Sequence, residues 1–191
     1  MTISIGILGA TGYTGAELIR LLHVHPEARI TYCSSRQYNG KPISAVLEFL
    51  KGYFDTELEE FDASAIKSRC DLVFSCLPHG VSMAFIEQVI DSVKVVDLSA
   101  DFRIRDAHVY GQWYQEHTNP GLLSQAVYGL SEVYAGDIGK ARLVANPGCY
   151  PTSVLLPLIP LLRDGLIEAH GIIVDSKSGV SGAGRGLSQK A

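Results

Sequence analysis

Two short segments of this chain carry residue types that could do chemistry together. One is a run of three glycines spaced three apart, Gly9, Gly12 and Gly15, inside the sequence GATGYTG. The other holds Cys149, in the sequence NPGCYPT. Closely spaced glycines let a backbone turn tightly around phosphates, and a cysteine thiolate is a nucleophile. A dinucleotide site and a positioned thiol in one chain indicate hydride chemistry on a thiol-bound acyl group.

The glycine segment lies where a dinucleotide-binding turn belongs. It follows a near-continuous apolar strand at residues 3–8 and opens a predicted helix at residues 13–23. The alternative is a glycine-rich turn that holds no ligand. We predict that N–H groups at the helix start meet the phosphates of a dinucleotide. The cofactor-binding residues predicted here are Gly9, Thr11, Gly12, Tyr13, Thr14 and Gly15.

The end of the second predicted strand, residues 29–34, discriminates between the two nicotinamide cofactors. NAD sites usually carry an acidic residue about 20 positions after the glycines, which binds the ribose 2′-hydroxyl. Ser34, Ser35 and Arg36 stand there instead, with Lys41 nearby. Hydroxyls and a guanidinium suit a 2′-phosphate, so we predict NADP(H). A solvated loop arginine is the alternative for Arg36.

Strand and helix patterns alternate over the first 145 residues. Runs with both faces apolar are expected when helices cover both sides of a parallel sheet. The predicted fold class is therefore α/β, a Rossmann-type doubly wound parallel sheet followed by the start of an α+β catalytic domain. We predict an NADP-binding domain at 1–145 and the beginning of the catalytic domain at 146–191. The remaining predicted strands lie at 71–77, 93–98, 142–145 and 172–175, and the remaining helices at 63–69, 81–92 and 151–163, with a loop-rich segment at 100–139.

The third predicted strand ends at the sheet edge where ligands bind, and the residues after it are further candidates. Leu77 and Pro78 are predicted to contact the cofactor. His79 could touch cofactor or substrate, and capping of the next helix is the alternative, so no catalytic role is assigned to it.

Cys149 is predicted to sit just before the helix at 151–163. The positive end of a helix dipole lowers the pKa of a thiol, which makes the thiolate available. The alternative is one more buried cysteine, as the apolar surroundings of Cys33, Cys70 and Cys76 predict for those three. The prolines that flank Cys149 favour a turn.

Composition excludes several classes of protein. A net charge of −4 gives no reason to expect nucleic acid as a partner, and the four cysteines show no metal-ligand spacing. A strand beginning almost at Met1 leaves no room for a secretion signal, and the longest apolar run, 154–162, is far short of the roughly 20 residues of a spanning helix. We expect a protein of the reducing cytoplasm that neither binds metal nor crosses a membrane.

The chain resembles the N-acetyl-γ-glutamyl-phosphate reductase family, NADP-dependent enzymes of arginine biosynthesis. Besides GATGYTG and PGCYPT, the resemblance rests on VDLSADFR from Val96, YGL from Tyr128 and SGVSGAGR from Ser178. Aspartate-semialdehyde dehydrogenases share the architecture but surround their cysteine differently. The relatives of the lysine pathway are more similar, although the Tyr150–Pro151 context favours the arginine enzyme.

The resemblance implies a reaction and further site residues. Cys149 would attack the γ-acyl phosphate of N-acetylglutamate and expel inorganic phosphate, and hydride from NADPH would reduce the resulting thioester to the 5-semialdehyde. Ser178 and Gly179 are expected to contact the cofactor. The substrate's phosphate and carboxylate are expected to bind Arg103, Ser181 and Arg185. The partners expected are this small-molecule acyl phosphate, inorganic phosphate and further copies of the chain in a homo-oligomer.

One feature of the family is missing from this sequence. The family takes its acid–base histidine from a later part of the second domain, and none of the six histidines here stands in that motif. We therefore expect a piece of a longer enzyme, truncated within its second domain, that need not be active alone. A sister semialdehyde dehydrogenase and a truncated, non-catalytic NADP-binding module remain as alternatives.

Overall fold

A six-stranded sheet organises the chain in the computed structural model, which describes residues 2–185. Its strands lie in the order β2-β1-β3-β4-β6-β5, and every neighbouring pair is parallel. The order reverses between β1 and β3, where doubly wound sheets bind their ligands. The predicted Rossmann-type fold is confirmed. The strands are β1 (Ile3–Leu8), β2 (Ala28–Ser34), β3 (Leu72–Ser75), β4 (Lys94–Asp97), β5 (Val127–Tyr128) and β6 (Leu143–Ala145).

Six α-helices connect or follow these strands. Two begin at an aspartate whose carboxylate accepts two free N–H groups of the first turn, Asp62 before α2 and Asp106 before α4. Short 3₁₀ helices at Ile43–Ala45 and Glu48–Leu50 lie in the segment after β2. The helices are α1 (Tyr13–His23), α2 (Ala63–Arg69), α3 (Ser82–Ile86), α4 (Ala107–Trp113), α5 (Ser131–Ile138) and α6 (Cys149–Arg163).

The core consists of two apolar layers, one on each face of the sheet. Alternation along β1 sends Ile5 and Ile7 into one layer and Leu8 into the other. The first layer packs against α1 through Ala16 and Ile19, whereas α2, α3 and α4 cover the second. Burial on both faces explains why the strands are near-continuous apolar runs.

The structure corrects three predictions. The segment 100–139, expected to be loop-rich, contains α4, α5 and β5. The helix expected at 81–92 is regular only over Ser82–Ile86. The strand expected at 172–175 is absent, since these residues are irregular in the structure. A strand needs a paired neighbour, and β-branched residues alone do not supply one.

The part of the chain after β6 has little packing of its own within the described residues. No residue of α6 is buried, although the helix is largely apolar. Ile173 is 94% exposed. Residues 186–191, the last part of the domain expected at 146–191, lie outside the described residues. Across residues 2–185, no helix has the length and apolar character needed to span a membrane.

Candidate active site

The loops that follow the strands meet at one edge of the sheet because all the strands are parallel. Backbone hydrogen bonds join four of these loops to the end of a neighbouring strand, so these loops have fixed positions relative to one another. The bonds run from the N–H of Ala10 to the carbonyl of Ser34 (3.0 Å), Cys76 to Leu8 (2.9 Å), Leu98 to Ser75 (2.9 Å) and Asn146 to Asp97 (2.8 Å).

The glycine turn has the shape that its sequence predicts. Gly9 has a φ of +75°, and a Cβ there would lie 2.8 Å from the carbonyl oxygen of Cys76. A Cβ on Gly15 would lie 2.6 Å from the carbonyl oxygen of Gly9. Gly12 is the N-cap of α1, no side chain caps the helix, and its first turn has no acidic residue. The helix start is therefore open to an anion.

An open cleft of about 580 Å³ lies beside this turn, at the β1/β3 reversal. It brings together the predicted residues Gly9, Thr11, Ser34, Ser35, Arg36, Leu77 and Pro78. Sequence reasoning missed four other residues of its wall: Gln37, Glu60, Phe61 and Phe85. Glu60 and Phe61 come from the segment before α2, which only the tertiary fold places beside β2.

Hydroxyl groups in the cleft are positioned by hydrogen bonds. The Oγ1 of Thr11 and the Oγ of Ser35 are 3.2 Å apart, and the Oγ of Ser34 accepts the N–H of Gly9 at 3.4 Å. Within residues 2–185, no hydrogen bond or ion pair engages the Arg36 guanidinium. Lys41 does not line the cleft, since its Nζ lies 5.8 Å from the centre of the Tyr38 ring. Arg36 is therefore the cation of this cleft.

These features fit a nicotinamide dinucleotide. The glycine turn, where a Cβ at Gly15 would clash, and the uncapped helix start match its diphosphate, and the open cleft beside them can hold its sugars. The residues that would hold the group come from the glycine turn, the end of β2 and the loop after β3.

A buried acidic pair fixes the loop after β3. The carboxylate of Asp101 accepts the N–H of Gly80 at 2.7 Å, the N–H of Met83 at 3.1 Å and the hydroxyl of Tyr110 at 2.9 Å. Asp97 accepts hydroxyls from Ser82 and Ser99, both at 2.6 Å. Burial raises the pKa of the Asp97 carboxyl. This geometry fits a positioning role for Asp97.

His79 is held by the loop after β4. Its Nδ1 accepts the N–H of Ala100 at 2.8 Å, and its ring meets that of Tyr114 edge-on at 5.9 Å. The expected alternative, capping of the following helix, is not what this side chain does. Within residues 2–185, the Nε2 of His79 makes no hydrogen bond.

Cys149 is the first residue of α6, because the helix begins two residues before its predicted start at residue 151. Gly148 is the N-cap, and the Thr152 hydroxyl donates to the Gly148 carbonyl at 2.9 Å. Cys149 is exposed, whereas Cys33 and Cys70 are buried. Burial raises the pKa values of Cys33 and Cys76 to about 12. Cys149 is thus the accessible thiol, and it lies at a helix N-terminus.

Arg103 ties the cysteine turn to the rest of the edge. Its Nε donates to the carbonyl of Asn146 and its Nη2 to the carbonyl of Leu98, both at 2.7 Å. Its Nη1 lies 3.0 Å from the position that a Cβ on Gly148 would take. Arg103 also borders a cavity of about 640 Å³ that Arg105, Tyr128 and Lys140 share. Two of its three nitrogens therefore bind backbone, and one remains for a ligand.

The segment after α6 returns to the glycine turn. Ser181 lies with Gly182 beside Tyr13, Thr14 and Leu98. The Ser178 hydroxyl donates within its own segment, to the carbonyl of Gly179 at 3.3 Å, and neither residue borders the cleft.

Arg185 lies on the nucleotide side of the site. Its Nη1 donates to the Thr11 carbonyl at 2.7 Å. Cys149 follows β6, three strands from β1, which corresponds to about 14 Å across a sheet. The placement of Arg185 differs from its expected place beside the substrate.

Comparison with protein families gives two matches. The model described as "Semialdehyde dehydrogenase, NAD binding domain" matches residues 4–141. The model described as "Semialdehyde dehydrogenase, dimerisation domain" matches residues 149–191.

Solved structures with the same fold include aspartate semialdehyde dehydrogenases. The enzyme of Candida albicans, solved with NADP, aligns with a TM-score of 0.62 at 19% identity and covers 86% of this chain and 48% of its own. That of Vibrio cholerae gives a TM-score of 0.63 at 18% identity, over 97% and 49%. These likenesses confirm the fold.

Curated relatives are much more similar in sequence. The N-acetyl-gamma-glutamyl-phosphate reductase of Desulforapulum autotrophicum is 54% identical over 96% of this chain and 53% of its own length. That of Ehrlichia chaffeensis is 50% identical over 98% and 54%. The chain spans about half the length of the curated relatives it matches. It belongs to the semialdehyde dehydrogenase family.

Proposed function

We propose that this chain is the cofactor-binding and thiol-bearing part of an NADPH-dependent reductase in arginine biosynthesis. It converts N-acetyl-γ-glutamyl phosphate to N-acetylglutamate 5-semialdehyde. The observation that carries the proposal is the exposed Cys149 at the start of a 15-residue helix, on the same sheet edge as an open glycine turn. Curated N-acetyl-gamma-glutamyl-phosphate reductases that are 54% and 50% identical to this chain support the choice of substrate.

Cys149 does the covalent chemistry in this proposal. Its thiolate sulfur attacks the γ-acyl carbon, the bond from that carbon to the phosphate oxygen breaks, and inorganic phosphate leaves. The product is a thioester on Cys149. When bound, NADPH supplies the hydride that reduces the acyl group to the aldehyde level. The sulfur then leaves as thiolate as the aldehyde is released, which restores Cys149 for the next cycle.

The cofactor is NADP(H) in this proposal. The Arg36 guanidinium has no carboxylate partner within residues 2–185, and it lies in the cleft with the hydroxyls of Ser34 and Ser35. A planar cation beside hydroxyl donors favours a 2′-phosphate over a bare ribose hydroxyl. Leu77 and Pro78 form the apolar wall after β3. Ser178 and Gly179 do not border the cleft, and we propose that they contact the cofactor from the later segment.

Arg103 and Ser181 are proposed to bind the substrate. The Nη1 of Arg103 is the nitrogen that has no hydrogen bond within the described residues, and it lies against Gly148, next to the nucleophile. A guanidinium there would stabilise the charge of the departing phosphate. Its two backbone bonds hold it in that place without a cost in side-chain freedom when substrate arrives.

The domain arrangement is also part of the proposal. Residues 1–145 form the NADP-binding domain, and 146–191 begin the catalytic domain. The exposed apolar residues of α6 and of the segment after it would pack within a homo-oligomer, in keeping with the dimerisation domain matched at 149–191. We place the enzyme in the cytoplasm, where the reducing environment keeps Cys149 a thiol.

The acyl-transfer step tests the proposal without requiring the acid–base group of a complete enzyme. The chain is mixed with N-acetyl-γ-glutamyl phosphate, and intact mass and released phosphate are measured. We expect one acyl adduct, on Cys149, with an equivalent amount of phosphate. Cys149→Ser should give neither, while it still binds NADPH. Cofactor binding without acylation in the parent chain would favour a non-catalytic NADP-binding module. Faster acylation by aspartyl phosphate would favour a sister dehydrogenase.

A further inference from the structure

The position of Arg185 conflicts with a role at the thiol. The hydrogen bond from its Nη1 to the Thr11 carbonyl links residues 174 positions apart in sequence. The guanidinium carbon lies 5.9 Å from the centre of the Tyr13 ring. Both contacts lie on the glycine turn, and an arginine held at β1 does not reach an acyl group on a residue that follows β6.

Electrostatics makes this position unusual for an unpaired cation. The start of α1 carries the positive end of the helix dipole, and its first turn has no acidic residue. A guanidinium there adds positive charge to a positive pole. Within residues 2–185, no carboxylate pairs with Arg185, and its Nε and Nη2 have no acceptor. Glu48 borders a cavity together with Arg185 but forms no ion pair with it within residues 2–185, so two guanidinium nitrogens remain for an anionic ligand at this helix start.

We propose that Arg185 binds the diphosphate of the dinucleotide and not the acyl-phosphate substrate. The inference rests on the proposed function, because it requires a dinucleotide in this cleft. The diphosphate is the anionic group that the N–H donors of a helix start receive, whereas the 2′-phosphate belongs beside Arg36 at the end of β2. Arg185 and Arg36 therefore bind two different phosphates of the same ligand.

The assignment has a consequence for the segment that carries Arg185. Ser181 and Gly182, a few residues earlier, already lie beside Tyr13 and Thr14. A bound diphosphate would add a charge-assisted hydrogen bond between the glycine turn and this segment. Cofactor binding thus holds residues of the later segment against the nucleotide domain, next to Leu98, the first residue after β4.

Four ligands separate this role from that of Arg36 in calorimetric titrations of the full chain. ADP and NADH carry the diphosphate, adenosine 2′-monophosphate carries the 2′-phosphate, and NADPH carries both. We expect Arg185→Gln to weaken NADPH, NADH and ADP by a similar factor of about ten, and to leave adenosine 2′-monophosphate unchanged. The matched control Arg36→Gln should weaken NADPH and adenosine 2′-monophosphate and leave NADH and ADP unchanged.

Two further measurements keep the test decisive. Arg185→Lys, which keeps the charge but lacks the planar fork, should give an intermediate loss. Both Arg185 variants should melt at the same temperature as the parent, since the Arg185 side chain is exposed and makes one hydrogen bond. Unchanged ADP and NADH affinity in Arg185→Gln would overturn the diphosphate role alone. A parent chain that binds none of the three diphosphate ligands would overturn the proposed cofactor site as well.

Discussion

The Nε of Arg103 donates to the carbonyl of Asn146 at 2.7 Å, three residues before Cys149. The same guanidinium donates from Nη2 to the carbonyl of Leu98. One side chain thus connects the loop after β4 with the loop after β6. Because both acceptors are main-chain atoms, the contact fixes the path of the backbone that enters α6 and orients its first residue.

Replacing Arg103 should loosen this turn. In Arg103→Met, two partly buried carbonyls lose a charged donor, and we expect the free energy of unfolding to fall by about 1–3 kcal/mol in urea titrations. Arg103→Lys is the matched control, since an ammonium group is a point donor that cannot serve both carbonyls in the fork geometry. It should recover part of the loss. If Arg103→Met and Arg103→Lys were both as stable as the parent, Arg103 would not stabilise this turn.

Cys149 should react with iodoacetamide faster than the other three cysteines. Cys33 and Cys70 are buried, and burial raises the pKa values of Cys33, Cys70 and Cys76, which lowers their thiolate fractions. Peptide mass spectrometry after brief labelling should find the label on Cys149 alone. In urea, where burial is lost, all four should label at similar rates. Equal labelling of the native protein would remove the case for Cys149 as the reactive thiol.

Two neighbouring glycines should respond differently to alanine. A Cβ on Gly15 would lie 2.6 Å from the Gly9 carbonyl oxygen and 2.8 Å from Ala10, all backbone that cannot move aside. On Gly12 the nearest such atom is 3.5 Å away. We expect Gly15→Ala to lower the free energy of unfolding, measured in urea, by about 1–3 kcal/mol or more. Gly12→Ala should lower it by about 1 kcal/mol or less. The reverse order would contradict the close packing of this turn.

The parent chain should bind NADPH more tightly than NADH, and Arg36→Ala should narrow the gap. Loss of the guanidinium removes a charge-assisted bond to the 2′-phosphate, which corresponds to about a ten-fold weaker NADPH affinity with NADH unchanged. Lys41→Ala serves as the control, because Lys41 does not line the cleft. Titrations that give equal NADPH and NADH affinities in the parent would exclude a 2′-phosphate site at Arg36.

Alkaline pH should destabilise the fold through Cys33. Its pKa is about 12 in the folded chain and about 9 when exposed, so between these values the unfolded state holds fewer protons. Stability then falls as pH rises, by about 1.4 kcal/mol per pH unit from this thiol. Urea midpoints measured upward from about pH 8.5 should therefore decline less steeply in Cys33→Ala. Cys149→Ala, which removes an exposed thiol, should decline as the parent does.

The regular elements of the nucleotide half were predictable because their signals are local. The strand and helix around the glycine turn, β1 and α1, have the bounds expected from apolar periodicity and the turn between them. Asp62 marks the start of α2 through its own side chain. The α4 region was missed because Tyr110 resembles a polar loop residue. Tyr110 is in fact buried in the core, where Asp101, nine residues earlier, accepts its hydroxyl.

The sequence by itself determined the strands and helices around the glycine turn, the turn itself, the accessible cysteine and the family motifs, because each depends on residues within a few positions of one another. Tertiary structure decided the partners of the long cationic side chains. Arg103 and Arg185 both end on backbone carbonyls, at Asn146 and Thr11, that no spacing rule connects to them. A carbonyl is present at every residue, so only the folded path of the chain shows which one a guanidinium meets.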